Sequence, residues 1–308
     1  MGGILVTMSR SLFVKRIRCL VLLATGGIVA AKTTAPPMGK FYIVGMGTAP
    51  DLITVRAQKV IARADVLIGE EGSFEKDWVD LAKGKEIWQW PHNFRRLYGV
   101  DPATLKDADQ RVLAESLDKT RRQLIEKIRS AVAAGKVVAC LEGGDPMMYG
   151  MTLFLEMLPA GVPSEIVPGI GAFQAASAAL KMSPPYGYDT NAVILTMGDW
   201  PGRVDTNEKL MATGSTMVFY TMGMDYPSLF FQLKHFYPAE TPVAIVSDAG
   251  DQNLQKVLRG TVGRFLDEVD YRGLPVERHM LFVGKFLTVG QARKDFLAPR
   301  APAPDARK

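Results

Sequence analysis

Residues 41–68 read FYIVGMGTAPDLITVRAQKVIARADVLI and decide the fold. The stretch opens with a β-rich run at 41–44, passes a Gly-Met-Gly turn at 45–47 and continues as an amphipathic segment over 52–64. It closes on a second apolar run at 66–68. A strand, a glycine turn, a helix and a second strand make a βαβ unit, in which the two strands run parallel. The stretch therefore predicts an α/β protein.

The same alternation continues along the chain. Apolar residues between 110 and 134 recur at helical spacing. Turn-forming residues cluster at 182–187, which predicts a linker. Strands and helices on both sides of it predict two α/β lobes, residues 38–182 and 188–290. The further predicted strands are 136–141, 164–167, 192–197, 216–220, 243–246 and 280–283.

Composition excludes several classes of protein. The chain is 47% hydrophobic and 22% charged, as expected for a packed globular protein. Its formal net charge is +5, but basic residues gather at both ends and leave the body nearly neutral. This distribution argues against a nucleic-acid partner. Two cysteines provide neither a disulfide framework nor a cysteine metal site, and we predict no protein-bound metal.

The two ends of the chain differ from the body. Residues 1–37 contain a basic cluster at 15–18 and an apolar run at 20–31, which is the layout of a secretory signal. Met38 stands directly before the first strand, so we expect translation to begin there and the protein to be cytoplasmic. The alternative is export or membrane tethering through residues 1–31, the only route to membrane contact. Residues 297–308, rich in alanine and proline, predict a disordered tail.

Two glycine motifs follow predicted strands. Gly45-Met46-Gly47 is a weak dinucleotide signal, because the full G-x-G-x-x-G pattern needs glycine at position 50, where Pro50 stands. Gly143-Gly144-Asp145-Pro146 is more informative. Two glycines at the carboxyl end of a strand allow a ligand to approach the backbone closely. By itself, this motif is equally compatible with a tight turn and a capping aspartate.

Taken together, five segments resemble successive signatures of the tetrapyrrole (corrin/porphyrin) methylases, including the uroporphyrinogen-III and precorrin methyltransferases. They occur in the order and at the spacing of that family over about residues 40–288. The segments are 41–65, 142–150 (EGGDPMMYG), 165–172 (EIVPGIGA), 218–223 (VFYTMG) and 241–260. The resemblance implies S-adenosylmethionine (SAM) as the cofactor, folded between two α/β lobes, and a homodimer.

The resemblance also implies cofactor-binding residues. In the first lobe they are Gly45, Gly47, Thr48, Gly143, Gly144, Asp145, Met148, Gly171 and Ala172. In the second lobe they are Met222 and Ala249, with Thr221 as the alternative to Met222. The first loop departs from the family's G-x-G-P-G-D-P pattern and is one residue short. The contact that the family makes through the first proline of that pattern therefore falls to Thr48.

Acceptor residues are predicted in two places. In relatives that methylate porphyrinogens an acidic residue follows the second strand, and Glu70 occupies that position as the candidate catalytic base. The alternative is a solvated acidic pair with Glu71. The aromatic and basic stretch around Trp90, His92, Arg95 and Arg96 suits a flat, carboxylated macrocycle, by stacking and by bidentate hydrogen bonds. Its alternative is a surface loop anchored by core tryptophans, and His92 is also a candidate ligand for a metal in the substrate.

The sequence therefore predicts a SAM-dependent methyltransferase whose acceptor is a precorrin, a cobalt-precorrin or a uroporphyrinogen-like tetrapyrrole. Two alternatives remain at this point. One is a related methyltransferase that acts on a peptide or another acceptor. The other is a non-catalytic tetrapyrrole-binding protein that has lost SAM.

Overall fold

Two five-stranded sheets form the framework of the chain. The computed structural model describes residues 39–186 and 190–289. The predicted N-terminal extension, 1–37, and the predicted tail, 297–308, lie outside the described residues. Within the described residues, no helix combines the length and apolarity that crossing a bilayer requires.

The first sheet is parallel and has the order β3-β2-β4-β1-β5. Helices cover both of its faces, as a parallel sheet requires. Its strands are β1 Lys40–Gly45, β2 Val66–Glu70, β3 Glu86–Trp90, β4 Val137–Glu142 and β5 Ser164–Val167. Its helices are α1 Val55–Arg63, α2 Ser73–Lys76, α3 Val79–Ala82, α4 Ala108–Ala133 and α5 Leu153–Met157, with 3-10 turns at Pro50–Leu52 and Pro102–Thr104.

Local sequence explains the two main helices of this lobe. Thr54 caps α1, since its side chain accepts a hydrogen bond from the Ala57 amide at 3.1 Å. Asp107 caps α4 in the same way through the Asp109 amide at 2.8 Å. The predicted spacing in α4 is confirmed, because Leu117, Leu124, Ile128 and Val132 are buried.

The second sheet is mixed and has the order β6-β7-β10-β8-β9. Only β6 and β7 are parallel, and the other pairs are antiparallel. Its strands are β6 Val193–Met197, β7 Thr216–Tyr220, β8 Pro242–Ser247, β9 Lys256–Thr261 and β10 His279–Val283. Its helices are α7 Asn207–Met211, α8 Tyr226–Phe236, α9 Phe265–Glu268 and α10 Phe286–Val289, with a 3-10 turn at Tyr271–Gly273.

Helix α6, Ala172–Leu180, connects the two halves of the chain. It lies before the predicted linker, yet Ala175, Ala176 and Leu180 pack in one apolar cluster with Val246 and Met280 of the second sheet, among others. The helix therefore joins the loops at the carboxyl edge of the first sheet to the core of the second lobe. This packing brings the carboxyl edge of the first sheet close to the second lobe.

Candidate functional site

The loops that follow β1 and β4 are joined at the carboxyl edge of the first sheet. The Gly144 amide donates to the Gly47 carbonyl oxygen at 2.7 Å, and the Gly47 amide donates back to the Gly144 carbonyl oxygen at 3.2 Å. Both glycines have positive φ, 75° at Gly47 and 70° at Gly144. Because L residues rarely adopt this conformation, the junction depends on glycine at both positions.

Four glycines at this edge divide into two kinds. A Cβ on Gly45 would lie 2.4 Å from the Gly169 nitrogen, and one on Gly169 would lie 2.1 Å from the Gly144 carbonyl oxygen. These glycines let the loops after β1, β4 and β5 pack against one another. A Cβ on Gly143 or Gly144 would meet no atom within 4 Å. The second pair therefore borders open space, called the glycine recess below, from which a ligand can approach the backbone.

The segment after Gly144 is held by its own aspartate. Asp145 Oδ1 accepts a hydrogen bond from the Met147 amide at 3.0 Å, and the Asp145 carbonyl accepts one from the Met148 amide at 3.0 Å. The Met148 side chain is 37% exposed and is available to pack on a ligand. A Cβ on Gly171 would lie 3.3 Å from the Asp145 Cβ, so the start of α6 adjoins the same loop.

In the second lobe the structure separates two neighbouring candidates. Thr221 is buried, and its Oγ1 donates to the His279 carbonyl oxygen at 2.6 Å. Met222 is 41% exposed. A hollow of about 370 Å³ opens beside this turn, lined by Thr221, Gly223 and His279 among others. Thr221 therefore holds β7 to β10 and lines this hollow, whereas Met222 is exposed to solvent and does not line it.

The remaining predicted cofactor residues lie where the first loop meets the second lobe. Gln252 Nε2 donates to Asp51 Oδ2 at 2.6 Å. A Cβ on Gly250, which directly follows the buried Ala249, would lie 2.8 Å from Thr48 Oγ1. This hydroxyl oxygen is buried and has no hydrogen-bond partner among the described residues. Ala172 is half-buried and packs in the same apolar cluster as Ala249.

Two tyrosines, which the sequence analysis did not select, link the lobes near the glycine recess. The rings of Tyr149 and Tyr220 lie edge to face with their centroids 5.1 Å apart. Tyr149 has a φ of 64°, a conformation unusual for a residue with a side chain. Burial raises the pKa of Tyr220 to about 12, and the nearby Tyr149 and Asp145 act in the same direction. Tyr220 is therefore neutral and can act as a hydrogen-bond donor.

Two glutamates lie side by side on adjacent strands of the first sheet. Ile68 on β2 is in register with Cys140 on β4. Since side chains alternate along a strand, Glu70 and Glu142, two residues further along, neighbour each other on the same face. Glu70 is 46% exposed, and its Oε1 lies 2.9 Å from Nδ1 of His92. The structure thus places the predicted base Glu70 beside a second carboxyl group.

Glu142 has a strongly raised pKa. Burial raises its pKa to about 7, and the negative charge of Glu70 adds to the effect, whereas Arg95 and the Met151 amide act in the opposite direction. The sequence analysis did not select Glu142. The sequence feature that could have indicated it is a single charged residue at the end of an otherwise apolar strand, VVACLE.

The prediction that Trp90 binds the acceptor is wrong. Trp90 lies on β3 and is only 5% exposed. Its ring packs against Phe94 and Phe154 with centroid distances of 6.2 and 5.6 Å. Trp88, two residues earlier on the same face, is also buried. These tryptophans belong to the core between the sheet and helices α4 and α5, so they are not free to stack on a macrocycle.

The polar part of the same stretch does lie on the surface near Glu70. His92, Arg95 and Arg96 are all exposed. The Arg95 guanidinium donates to the Tyr149 carbonyl oxygen, and Arg96 donates to Gln110 Oε1 at 3.3 Å. The buried Arg121 supports this loop, because its guanidinium donates to the Phe94 carbonyl oxygen at 2.9 Å and to the Arg96 carbonyl oxygen at 2.5 Å.

Comparison with families and curated proteins gives a consistent result. The family model described as Tetrapyrrole (Corrin/Porphyrin) Methylases matches residues 40–266. The precorrin-4 C(11)-methyltransferase of Rhodococcus erythropolis is 30% identical over 80% of this chain and 91% of its own length. The cobalt-precorrin-4 C(11)-methyltransferase of Methanocaldococcus jannaschii is 28% identical over 80% of this chain and 88% of its own length. A Pseudomonas entomophila siroheme synthase is 28% identical, but this chain spans only 50% of it.

Solved structures share the fold. A cobalt precorrin-4 methyltransferase superposes with a TM-score of 0.62 at 24% identity, over 80% of this chain and 95% of the other. A second structure is a uroporphyrin-III C-methyltransferase from Thermus thermophilus in complex with S-adenosylhomocysteine. It gives a TM-score of 0.57 at 19% identity, over 81% of this chain and 94% of the other. Both are two-lobe enzymes of the α/β class predicted above.

Proposed function

Because the chain belongs to the tetrapyrrole (corrin/porphyrin) methylase family, we propose that it transfers a methyl group from SAM to a ring carbon of a precorrin or cobalt-precorrin. Family membership confirms the predicted two-lobe fold, the methyltransferase class and SAM as the cofactor of the family. The alternative of a carrier protein that has lost SAM is therefore set aside.

The observation that carries the proposal is the open recess at Gly143 and Gly144. It lies at the carboxyl edge of a parallel sheet, where ligands of open α/β folds bind. The residues around it fit SAM. The backbone of the two glycines can approach the cofactor closely, and Asp145 offers a carboxylate to its hydroxyl or ammonium groups. Thr48 has a buried hydroxyl oxygen without a partner, and Met222 has an exposed thioether side chain.

SAM supplies a methyl group on a sulfonium, so the donor is already activated. The protein's contribution is then to align the acceptor carbon with that methyl group, to exclude water and to remove a proton. We propose that Gly143, Gly144 and Asp145 fix the donor. Glu70, Arg95 and Arg96 face the acceptor, where two guanidinium groups can hold the carboxylates of a tetrapyrrole.

Support for a precorrin acceptor comes from the curated relatives. Two precorrin-4 methyltransferases, 30% and 28% identical to this chain, match it over 91% and 88% of their own length. We also propose that the enzyme is cytoplasmic, where cells keep SAM, and that it forms a homodimer as implied by the resemblance. Sedimentation of the purified protein tests the dimer.

The proposed reaction is tested by incubating the purified protein with SAM and one of three acceptors, namely precorrin-4, cobalt-precorrin-4 or uroporphyrinogen III. We expect mass spectrometry to detect the gain of one methyl group on a precorrin, together with S-adenosylhomocysteine. Methylation of uroporphyrinogen III alone would show that the acceptor is a uroporphyrinogen and not a precorrin. No methylation of any of the three would contradict a tetrapyrrole acceptor.

Replacing Arg95 and Arg96 together with alanine is expected to weaken acceptor binding by about a hundredfold or more, because two charged hydrogen bonds that contribute roughly 1.5 kcal/mol each are lost. Affinity for S-adenosylhomocysteine should not change. The matched control removes two other exposed arginines, Arg122 and Arg129, which pair with acids on the surface of α4. Equal KM values in both double variants and the wild type would show that the loop does not bind the acceptor.

A further inference from the structure

One carboxyl group at the site has a buried oxygen that its contacts leave unpaired. Glu142 ends β4, immediately before Gly143. Its Oε1 is buried and has no hydrogen-bond partner among the described residues. Ionisation of this carboxyl group destabilises the fold, because the Met151 amide and the charge of Arg95 compensate only part of the lost hydration. Glutamate at this position therefore points to a function.

The charged groups around Glu142 come from three elements. Glu70 of β2 lies beside it, and the Glu70 carboxylate contacts the exposed His92. Arg95 approaches from the loop after β3, with its guanidinium on the Tyr149 carbonyl oxygen. On its own strand the nearest titratable group is Cys140, a fully buried thiol whose pKa is raised well above its ordinary value, so it stays neutral.

These neighbours give Glu142 and Glu70 different properties. The Glu70 carboxylate is half-exposed and already engaged by His92. Glu142 keeps one oxygen free, and its pKa of about 7 is matched to proton transfer near neutral pH. A group with that pKa can take up a proton in one step and release it in the next.

Glu142 also lies between the two halves of the proposed site. The residue after it opens the glycine recess proposed for the donor. Its side chain points to the face of the sheet that carries Glu70 and the loop of His92 and Arg95. A group at this position is close to both the donor and the acceptor.

We propose that Glu142 is a catalytic residue, the base that accepts the proton released when an acceptor ring carbon is methylated. This inference rests on the function proposed above and deepens it. Glu70, with His92, is then a positioning residue that keeps a negative charge beside Glu142.

The acceptor carbon uses a π electron pair of the tetrapyrrole to form the new carbon–carbon bond, while the electron pair of the broken carbon–sulfur bond stays on sulfur. The acceptor then carries one positive charge. The Glu142 carboxylate takes a proton from a carbon or nitrogen of that cation, which restores a neutral conjugated ring and leaves Glu142 as a neutral acid.

The test compares wild-type protein with Glu142→Gln, Glu70→Gln and Glu71→Gln. Glu71 is an exposed carboxylate at the same edge and serves as the matched control. We expect Glu142→Gln to lower kcat about a hundredfold or more, with unchanged affinity for S-adenosylhomocysteine. Wild-type kcat should rise with pH through a midpoint near 7, as expected if the base must be ionised. That rise should vanish in Glu142→Gln and persist in Glu71→Gln.

A second readout does not depend on turnover. Infrared difference spectra of protein without SAM should show a protonated carboxyl group that titrates near pH 7 in wild type and is missing in Glu142→Gln. If the signal is absent from wild type, or is lost in Glu70→Gln instead, the assignment is wrong. Normal kcat in Glu142→Gln contradicts the assignment alone. Wild-type protein that binds S-adenosylhomocysteine but methylates no tetrapyrrole contradicts the proposed function, and the assignment falls with it.

Discussion

Replacing Gly143 with leucine should reduce affinity for SAM and S-adenosylhomocysteine by a hundredfold or more, about 2.8 kcal/mol, while the fold stays intact. A Cβ at this position would meet no protein atom within 4 Å, so the added side chain fills only the recess proposed for the cofactor. Gly143 is not among the described residues with positive φ, and leucine there carries no backbone strain of that kind. Calorimetric titration measures the affinity, and thermal unfolding checks the fold.

Two further variants make this result interpretable. Ala160→Leu adds the same bulk to an exposed turn that leads into β5 at the opposite edge of the sheet, and should leave both affinity and stability unchanged. Gly169→Ala, in contrast to Gly143→Leu, should lower the stability of the fold. The Cβ of the alanine would lie 2.1 Å from the Gly144 carbonyl oxygen. Gly143→Leu protein that binds S-adenosylhomocysteine with wild-type affinity would show that the cofactor binds elsewhere.

Glu142→Gln should stabilise the protein at alkaline pH and have little effect at acid pH. The pKa of Glu142 is raised from 4.5 to about 7 in the folded protein. The folded state therefore holds a proton that the unfolded chain has already released. Between these two pKa values the wild type loses stability as pH rises, and above about 7 the loss is complete. The total loss in the free energy of unfolding is about 3 kcal/mol, since each unit of pKa difference corresponds to about 1.36 kcal/mol.

Denaturant unfolding of both proteins at about pH 5 and about pH 8 measures this difference. We expect the free energy of unfolding of wild type, relative to Glu142→Gln, to fall by roughly 2–3 kcal/mol between the two pH values. Glu71→Gln, which removes an exposed carboxylate, should follow the wild type. A constant difference between wild type and Glu142→Gln at both pH values would mean that Glu142 is not a perturbed group.

Much of the first lobe was predictable because its signals are local. Residues 41–68 form β1, α1 and β2, with Thr54 as the helix cap. The glycines at 45 and 169 occur where loops approach the backbone closely, and those at 143 and 144 border open space, so each has a position in the fold that favours glycine. One edge strand of each sheet was missed, β3 in the first and β9 in the second. In both strands charged or polar residues interrupt the apolar pattern, and part of each strand is exposed.

The error at Trp90 has a physical cause. An aromatic residue near arginines can face a ligand or the core, and the sequence of the stretch is the same in both cases. The outcome depends on Phe94 and Phe154, which cover the ring, and on Arg121, which fixes the loop. Phe154 and Arg121 come from distant parts of the chain, so the composition of the stretch could not resolve the alternative.

The sequence by itself determined the family, the βαβ start and the glycine loops, because backbone conformation and apolar periodicity are encoded over a few residues. Only the tertiary structure decided which carboxyl group is perturbed. The strand order β3-β2-β4-β1-β5 places β2 beside β4 and thereby Glu70 beside Glu142. Burial and neighbouring charge set the pKa of a carboxyl group, and both depend on strands that are distant in sequence and adjacent only in the folded sheet.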